Sequence, residues 1–227
     1  MIKTQLVAAS VISKVLAGAS LTGVLQEVWR ADLALSRQQR GAIQDLSYGV
    51  LRFYGQLEAI LSLLLKKSLR DKSLHHLLLV SLYQLQYSKA LPHAVVDQAV
   101  SASRSFVHGK GMQGLVNAVL RSFIRQRDSL LKRAAENEVG RYSHPQWWID
   151  KLRWQYPQYF QAILEADNKR PPMTLRVNQR KISVEAYRKL LAEKTMHTEL
   201  LDSGALQLSQ PVMVESLPGF AEGLVTV

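Results

Sequence analysis

The sequence contains no cysteine. This excludes a disulfide scaffold, thiolate metal sites and any cysteine nucleophile, and it fits a reducing cytoplasm. Acidic residues are scarce beside basic ones, 18 Asp and Glu against 29 Lys and Arg, which leaves a formal charge of +11. A surplus of that size points to a polyanionic partner, nucleic acid first and anionic membrane second. No apolar run approaches the roughly 20 residues that a spanning helix needs, so no membrane association is expected. Internal repeats and low-complexity tracts are absent as well. With 47% hydrophobic residues, the chain has enough apolar material for a packed core and is not a disordered tail.

Catalytic patterns are missing too. The six histidines (75, 76, 93, 108, 144 and 197) show no metal-ligand spacing with one another or with nearby carboxylates. His75 and His76 are adjacent and diverge by about 100° on a helix. His144, between Ser143 and Pro145, reads as a hydrogen-bonder that stabilises a turn. Glu165 and Asp167 lie two apart on a helix and point in different directions, which does not suit paired acid–base work. No serine sits in a nucleophile elbow, and no glycine loop ends in Lys-Ser or Lys-Thr. Gly109-Lys110-Gly111-Met112-Gln113-Gly114 has the letters of a dinucleotide fingerprint. Ser101 to Val107 ahead of it read as helix, so the strand that such a loop must follow is absent. Lys110 and free N–H groups at the start of the next helix would instead suit one RNA phosphate.

What is present is helical periodicity. Lys3 ahead of the apolar Leu6–Ile12 run, with Ala17-Gly18-Ala19 beyond, imitates a signal peptide. Lys14 interrupts that run, however, and Leu6, Ala9, Ile12 and Leu16 recur at the spacing of an amphipathic helix. A second helix is expected over Leu21–Arg30. Ser36 followed by Gln39 predicts a capping-box start for a third, which carries Ile43, Leu46, Val50 and Leu51 on one face. Gly49 and Gly55 admit two readings, a close approach by a neighbour or a break in the helix. Residues 74–87 are apolar almost all the way round, which places that helix at the centre of a bundle. Pro92 opens a further helix, expected to run to about Val107 with Ala94, Val95, Gln98, Ala99 and Ala102 inward.

The closing helix of the bundle begins near Gln113 and continues past Leu131. Its apolar half comprises Leu115, Val116, Val119, Leu120, Phe123, Ile124, Leu130 and Leu131. Asn117, Arg121, Arg125, Asp128 and Lys132 form a narrow stripe opposite. Between residues 101 and 133 there are seven basic side chains and one acid. A stripe of arginines one turn apart can track a phosphate backbone, although a solvated helix face has the same pattern. Charge is concentrated in this first part: residues 1–140 carry 18 basic and 9 acidic side chains, residues 141–227 carry 11 and 9.

Residues Glu136 to Pro145 are polar and turn-prone and predict a domain boundary. A tryptophan-rich helix should follow from about Pro145 to Ala166, interrupted at Pro157. Tyr142, Trp147, Trp148 and Trp154 are of the type that stacks on unpaired bases, but Trp148 and Trp154 read first as core. A strand at Met173–Val177, a helix at Ser183–Lys194 with Ala186, Tyr187, Leu190 and Leu191 inward, and strands at His197–Leu201 and Ala205–Leu208 suggest an α+β subdomain. That subdomain leaves room for completion by whatever follows Val227. Arg176 and Asn178, two apart at a strand end, share one side.

Five segments together resemble a known family: Leu46-x-Tyr48-Gly49-Val50-Leu51-Arg52, Val116-Asn117-Ala118-Val119-Leu120-Arg121, Arg141-Tyr142-Ser143-His144-Pro145 with Trp147-Trp148, Arg170-Pro171-Pro172-Met173-Thr174-Leu175-Arg176-Val177-Asn178, and Leu217-Pro218-Gly219-Phe220. They are similar to segments of the bacterial ribosomal RNA cytosine-C5 methyltransferases of the RsmB/Sun (Fmu) family, over nearly the whole chain. The resemblance implies a mainly α protein: a NusB-like all-α helical bundle for RNA binding over 1–138, then over 139–227 a linker helix and a small α+β subdomain leading into a methyltransferase domain that lies outside this sequence. It further implies small-subunit ribosomal RNA and that domain as partners, a cytoplasmic location, and S-adenosylmethionine and two cysteines for the full-length enzyme. This chain itself is expected to hold no catalytic, cofactor-binding or metal residues. The RNA-binding residues expected are Arg104, Lys110, Arg121, Arg125, Lys132, Arg141, Arg176 and Asn178. A free-standing NusB-type RNA-binding or antitermination factor and a helical interaction adaptor are the alternatives.

Overall fold

Apolar residues at helical spacing are buried by packing helix on helix. The computed structural model describes residues 2–106 and 111–227, and this is the solution it adopts for most of the chain. In order come α1 (Ile2–Leu16), α2 (Leu21–Ala31), α3 (Arg37–Arg52), α4 (Tyr54–Leu64) and α5 (Lys72–Tyr87). Next are α6 (Pro92–Ser103), α7 (Gln113–Ala134), α8 (Glu138–Tyr142), α9 (Gln146–Gln155) and α10 (Phe160–Asp167). The all-round apolar helix α5 is central as expected, packed by α1, α3, α4, α6 and α7. Leu77, Leu78, Leu79, Val80 and Leu82 have no exposed surface. Each such side chain contributes roughly 1.5–3 kcal/mol by leaving water.

Caps define the helix starts. Ser36 Oγ accepts from Gln39 N at 3.2 Å, and Ser36 N donates to Gln39 Oε1 at 2.9 Å, so the capping box forms in full. Asp71 caps α5 by accepting from Ser73 N at 2.9 Å. At Gly49 and Gly55 both readings of the glycines hold. The helix breaks at Phe53, whose ring stacks on Tyr87 with centroids 4.0 Å apart. Gly49 lies under the Tyr83 ring, and a Cβ at Gly55 would stand 2.6 Å from Val139 O.

Part of the polar segment read as a boundary is the helix α8. Asn137 Oδ1 accepts from Gly140 N at 2.7 Å, and α8 packs on α4 across Gly55 and Gly140. Two glycines that allow backbone contact thus replace the apolar side chains that would have marked a packed helix. Behind it Ile149, Leu152 and Leu164 of α9 and α10 close on Tyr142 in a small core of their own. The chain divides into two compact units between Asn168 and Lys169. No helix among the described residues is long and apolar enough to cross a membrane.

The second unit, Lys169–Val227, is a small α+β layer pair. Strands β1 (Thr174–Val177), β2 (Thr198–Leu200), β3 (Leu206–Leu208) and β4 (Val225–Thr226) form an antiparallel sheet in the order β2-β3-β1-β4. Register pairs Leu175 with Leu206 and Val177 with Val225. These four side chains face α11 (Val184–Glu193), which buries Tyr187 and Leu191 against them. Tyr187 Oη donates to Pro218 O at 2.9 Å. Ala186, expected inward, is exposed. β4, which the sequence reading did not foresee, occupies the position beside β1. A strand of two residues is too short to show a period of two.

Candidate nucleic-acid interface

α7 brings basic side chains to one surface because its other side is fixed by packing. Val116, Val119, Leu120, Phe123, Leu130 and Ala134 are buried, while Arg121, Arg125 and Lys132 are exposed. Arg121 Nε donates to Asn117 Oδ1 at 2.8 Å, and Arg125 Nη2 donates to Ser122 Oγ at 3.2 Å. Both acceptors are neutral, so they orient the guanidinium groups without cancelling their charge. Among the described residues neither arginine, nor Lys132, is in an ion pair.

The helix is kinked at Gln126, with φ −116° and ψ 18°. Ile124, expected in the apolar half, is 40% exposed beside the kink. Past it, Arg127 Nε donates to Gln86 Oε1 at 2.8 Å and Nη2 to Gln86 O at 3.1 Å. Arg127 therefore ties α7 to the C-terminal turn of α5, where a cation also meets the negative end of the helix dipole. Its part in the structure is a tether.

The other candidates are spread out. Arg104 is exposed at the end of α6, which packs along α7. Lys110 lies outside the described residues. Arg141 is exposed on α8, its guanidinium 5.2 Å from the Tyr142 ring centroid. In the second unit, Arg176 and Asn178 line a cavity of about 710 Å³ together with Arg180, Ser203, Gly204 and Thr226. Asn178 is occupied locally: Nδ2 donates to Gly223 O at 3.0 Å and Oδ1 accepts from Arg180 N at 3.3 Å. Arg176 and Arg180 supply the positive charge of that cavity, which no carboxylate lines. The sequence reading missed Arg180; its signal was the Asn178-x-Arg180 turn directly after the strand.

The aromatic candidates separate by burial. Tyr142, offered for stacking, is only 4% exposed and belongs to the core under α9. Trp154, read as core, is 81% exposed and Trp147 66%, while Trp148 packs against the small core. Ile149 and Leu152 take the inner side of α9, which leaves position 154 facing out.

One cluster of titratable groups lies elsewhere, between α4 and α5. His75 Nε2 and Glu58 Oε1 are 2.7 Å apart. Burial opposes ionisation of Glu58, but hydrogen bonds from His75 and Tyr54 outweigh it and hold the carboxyl below its usual range. Burial pushes His76 down, and its Nδ1 is buried without a partner. His144 Nδ1 lies 2.6 Å from Tyr142 O, the turn contact read for it. Among the described residues no group of three His, Cys, Asp or Glu is placed to hold a metal. The arrangement suits binding an anionic chain, with arginines on exposed, well-anchored elements.

The NusB family model matches residues 2–125, and the methyltransferase RsmF/B-like, ferredoxin-like domain matches residues 144–215. Ribosomal RNA small subunit methyltransferase B of Pectobacterium carotovorum subsp. carotovorum (strain PC1) is 39% identical over 228 residues, covering 97% of this chain and 52% of the relative. The protein of the same name from Pasteurella multocida (strain Pm70) is 39% identical, with 100% and 50% covered. The probable ribosomal RNA small subunit methyltransferase B of Coxiella burnetii (strain RSA 493 / Nine Mile phase I) is 40% identical, with 84% and 45% covered. The chain spans about half the length of the curated relatives it matches. The crystal structure of PH0851 shares the fold, with a TM-score of 0.59 at 16% identity, covering 100% of this chain and 53% of that one. A NusB-type helical domain followed by an RsmF/B-type ferredoxin-like domain makes this chain a member of the NusB family, built on the plan of the N-terminal part of ribosomal RNA small subunit methyltransferase B proteins.

Proposed function

We propose that this chain is the substrate-recognition part of an S-adenosylmethionine-dependent small-subunit ribosomal RNA (cytosine-C5) methyltransferase of the cytoplasm. It holds ribosomal RNA while a methyltransferase domain outside this sequence performs the transfer. The observation that carries this is the pair Arg121 and Arg125, one turn apart on the exposed side of α7, oriented by Asn117 and Ser122 and unpaired with any acid among the described residues. Such forks engage phosphate oxygens directly. Arg104, Lys110, Lys132 and Arg141 add charge to the first unit, and Arg176 with Asn178 supplies a second contact region. The family match at 144–215 weighs against a free-standing NusB-type factor.

The cofactor does not fit the residues present. The sheet is antiparallel throughout, whereas a nucleotide-type cradle needs a glycine loop between a parallel strand and a helix. No step of transfer is assigned to this chain, and S-adenosylmethionine belongs with the absent domain.

The test is a gel-shift titration with a small-subunit ribosomal RNA fragment at several salt concentrations. Arg121→Ala with Arg125→Ala is expected to weaken binding and flatten the log–log salt slope by about one to two units. Arg127→Met, which cuts a tether, should leave the slope intact. Equal slopes for the double variant and the parent would remove α7 from the interface. An adaptor with no RNA role would show no salt-dependent RNA binding in the parent.

A further inference from the structure

We propose that the exposed side of α9 is a stacking platform for unpaired RNA bases, formed by Trp147, Lys151 and Trp154. This rests on the RNA-binding reading above and adds a site of different chemistry to it. Positions 147, 151 and 154 are i, i+4 and i+7, so on one helix they fall within an arc of about 60°. The opposite side holds Ile149 and Leu152, both buried, and their packing against Leu164 and Tyr142 forces the two indoles outward. Trp147 is 66% exposed and Trp154 81%.

These are not scattered surface apolar groups. Among the described residues the exposed aromatics are Tyr48, Tyr87, Trp147, Trp154, Tyr156 and Tyr159, and four of the six fall between 147 and 159. A single exposed ring needs no explanation, but exposed rings concentrated in one short segment point to a binding role. Each indole forgoes burial of about 200 Å² that the core would otherwise gain.

The cation between the rings identifies the occupant. Lys151 is exposed and in no ion pair among the described residues. Arg153, by contrast, is held by Glu138 and Asp150 and lies 4.9 Å from the Phe160 ring centroid. Lysine is depleted at protein–protein interfaces, where its charge must be desolvated. A positive charge flanked by aromatic faces is the arrangement that binds single strands, bases on the rings and phosphate on the cation. Trp147 and Trp154 are about 10 Å apart along the helix axis, enough for two stacked bases with a phosphate between them. A duplex would not serve, because its base faces are covered and its helix is recognised by shape.

Tryptophan fluorescence reads the contact directly. The full 227-residue chain would be titrated with a short single-stranded oligocytidine and with a duplex of equal phosphate count. Quenching is expected with the single strand and not with the duplex. Trp147→Ala with Trp154→Ala should remove most of the quenching and weaken single-strand binding by about ten-fold or more. Trp147→Phe with Trp154→Phe, which keeps two ring faces, should restore affinity, and Lys151→Met should lower the single-strand salt slope by about one. Unchanged affinity in the alanine variant, with its circular dichroism intact, would overturn the platform and leave a protein as the partner of this surface. Equal quenching by the duplex would overturn it as well. Salt-dependent RNA binding without indole quenching would sink the platform alone, whereas no RNA binding by the parent would sink the recognition role with it.

Discussion

His76 shows how one buried side chain sets a pH limit on the bundle. Burial, and then the charge of His75, lower its pKa; Glu58 opposes this and Lys72 adds to it. The unfolded chain takes up a proton at this position near pH 6.5, and the folded chain resists it. The stability is therefore present above that pH and is lost as the pH falls through the window beneath it. Glu58, held low by His75 and Tyr54, adds a second loss further down, as its carboxylate is protonated. His76→Phe is expected to flatten the fall in urea midpoint between about pH 7 and 5, while Glu58→Gln should flatten only the more acid limb. Equal pH dependence in the His76→Phe variant and the parent would contradict this. The sequence allowed only that His75 and His76 part company on a helix; which of them meets Glu58 is set by α4, seventeen residues away.

Among the elements, α3, α4 and α8 depend on two close approaches. Gly49 lies under the side chain of Tyr83, whereas Gly55 faces the backbone of α8. Gly49→Ala should cost about 1–3 kcal/mol in chemical denaturation and be partly relieved by Tyr83→Leu. Gly55→Ala should cost at least as much, with no side-chain substitution relieving it. Additive effects of Gly49→Ala and Tyr83→Leu would show that the ring does not press on position 49. The Ser36–Gln39 box was legible because capping is local, a matter of residues three apart. The kink of α7 was not, since an even wheel assumes a straight helix and the Arg127–Gln86 tether is a long-range contact.

At the scale of the whole molecule, each unit has its own core, centred on Leu77, Leu78 and Leu79 in the first and on Leu175, Tyr187 and Leu206 in the second. The first unit also carries most of the charge surplus, 21 basic and 12 acidic side chains over residues 1–168 against 8 and 6 over 169–227. A fragment of residues 1–168 is expected to melt cooperatively and keep most of the salt-dependent RNA affinity. A non-cooperative melt by circular dichroism would show that the cores are not independent. Composition and periodicity by themselves determined the helical bundle, its central helix, the α+β subdomain and the basic side of α7, because each follows from local spacing and the need to bury apolar surface. Only the tertiary structure decided that α8 packs on α4, that β4 pairs with β1, that Trp154 faces solvent and that Tyr142 does not. Those outcomes depend on which of several similar apolar surfaces a neighbour covers, a choice made between residues far apart in the chain.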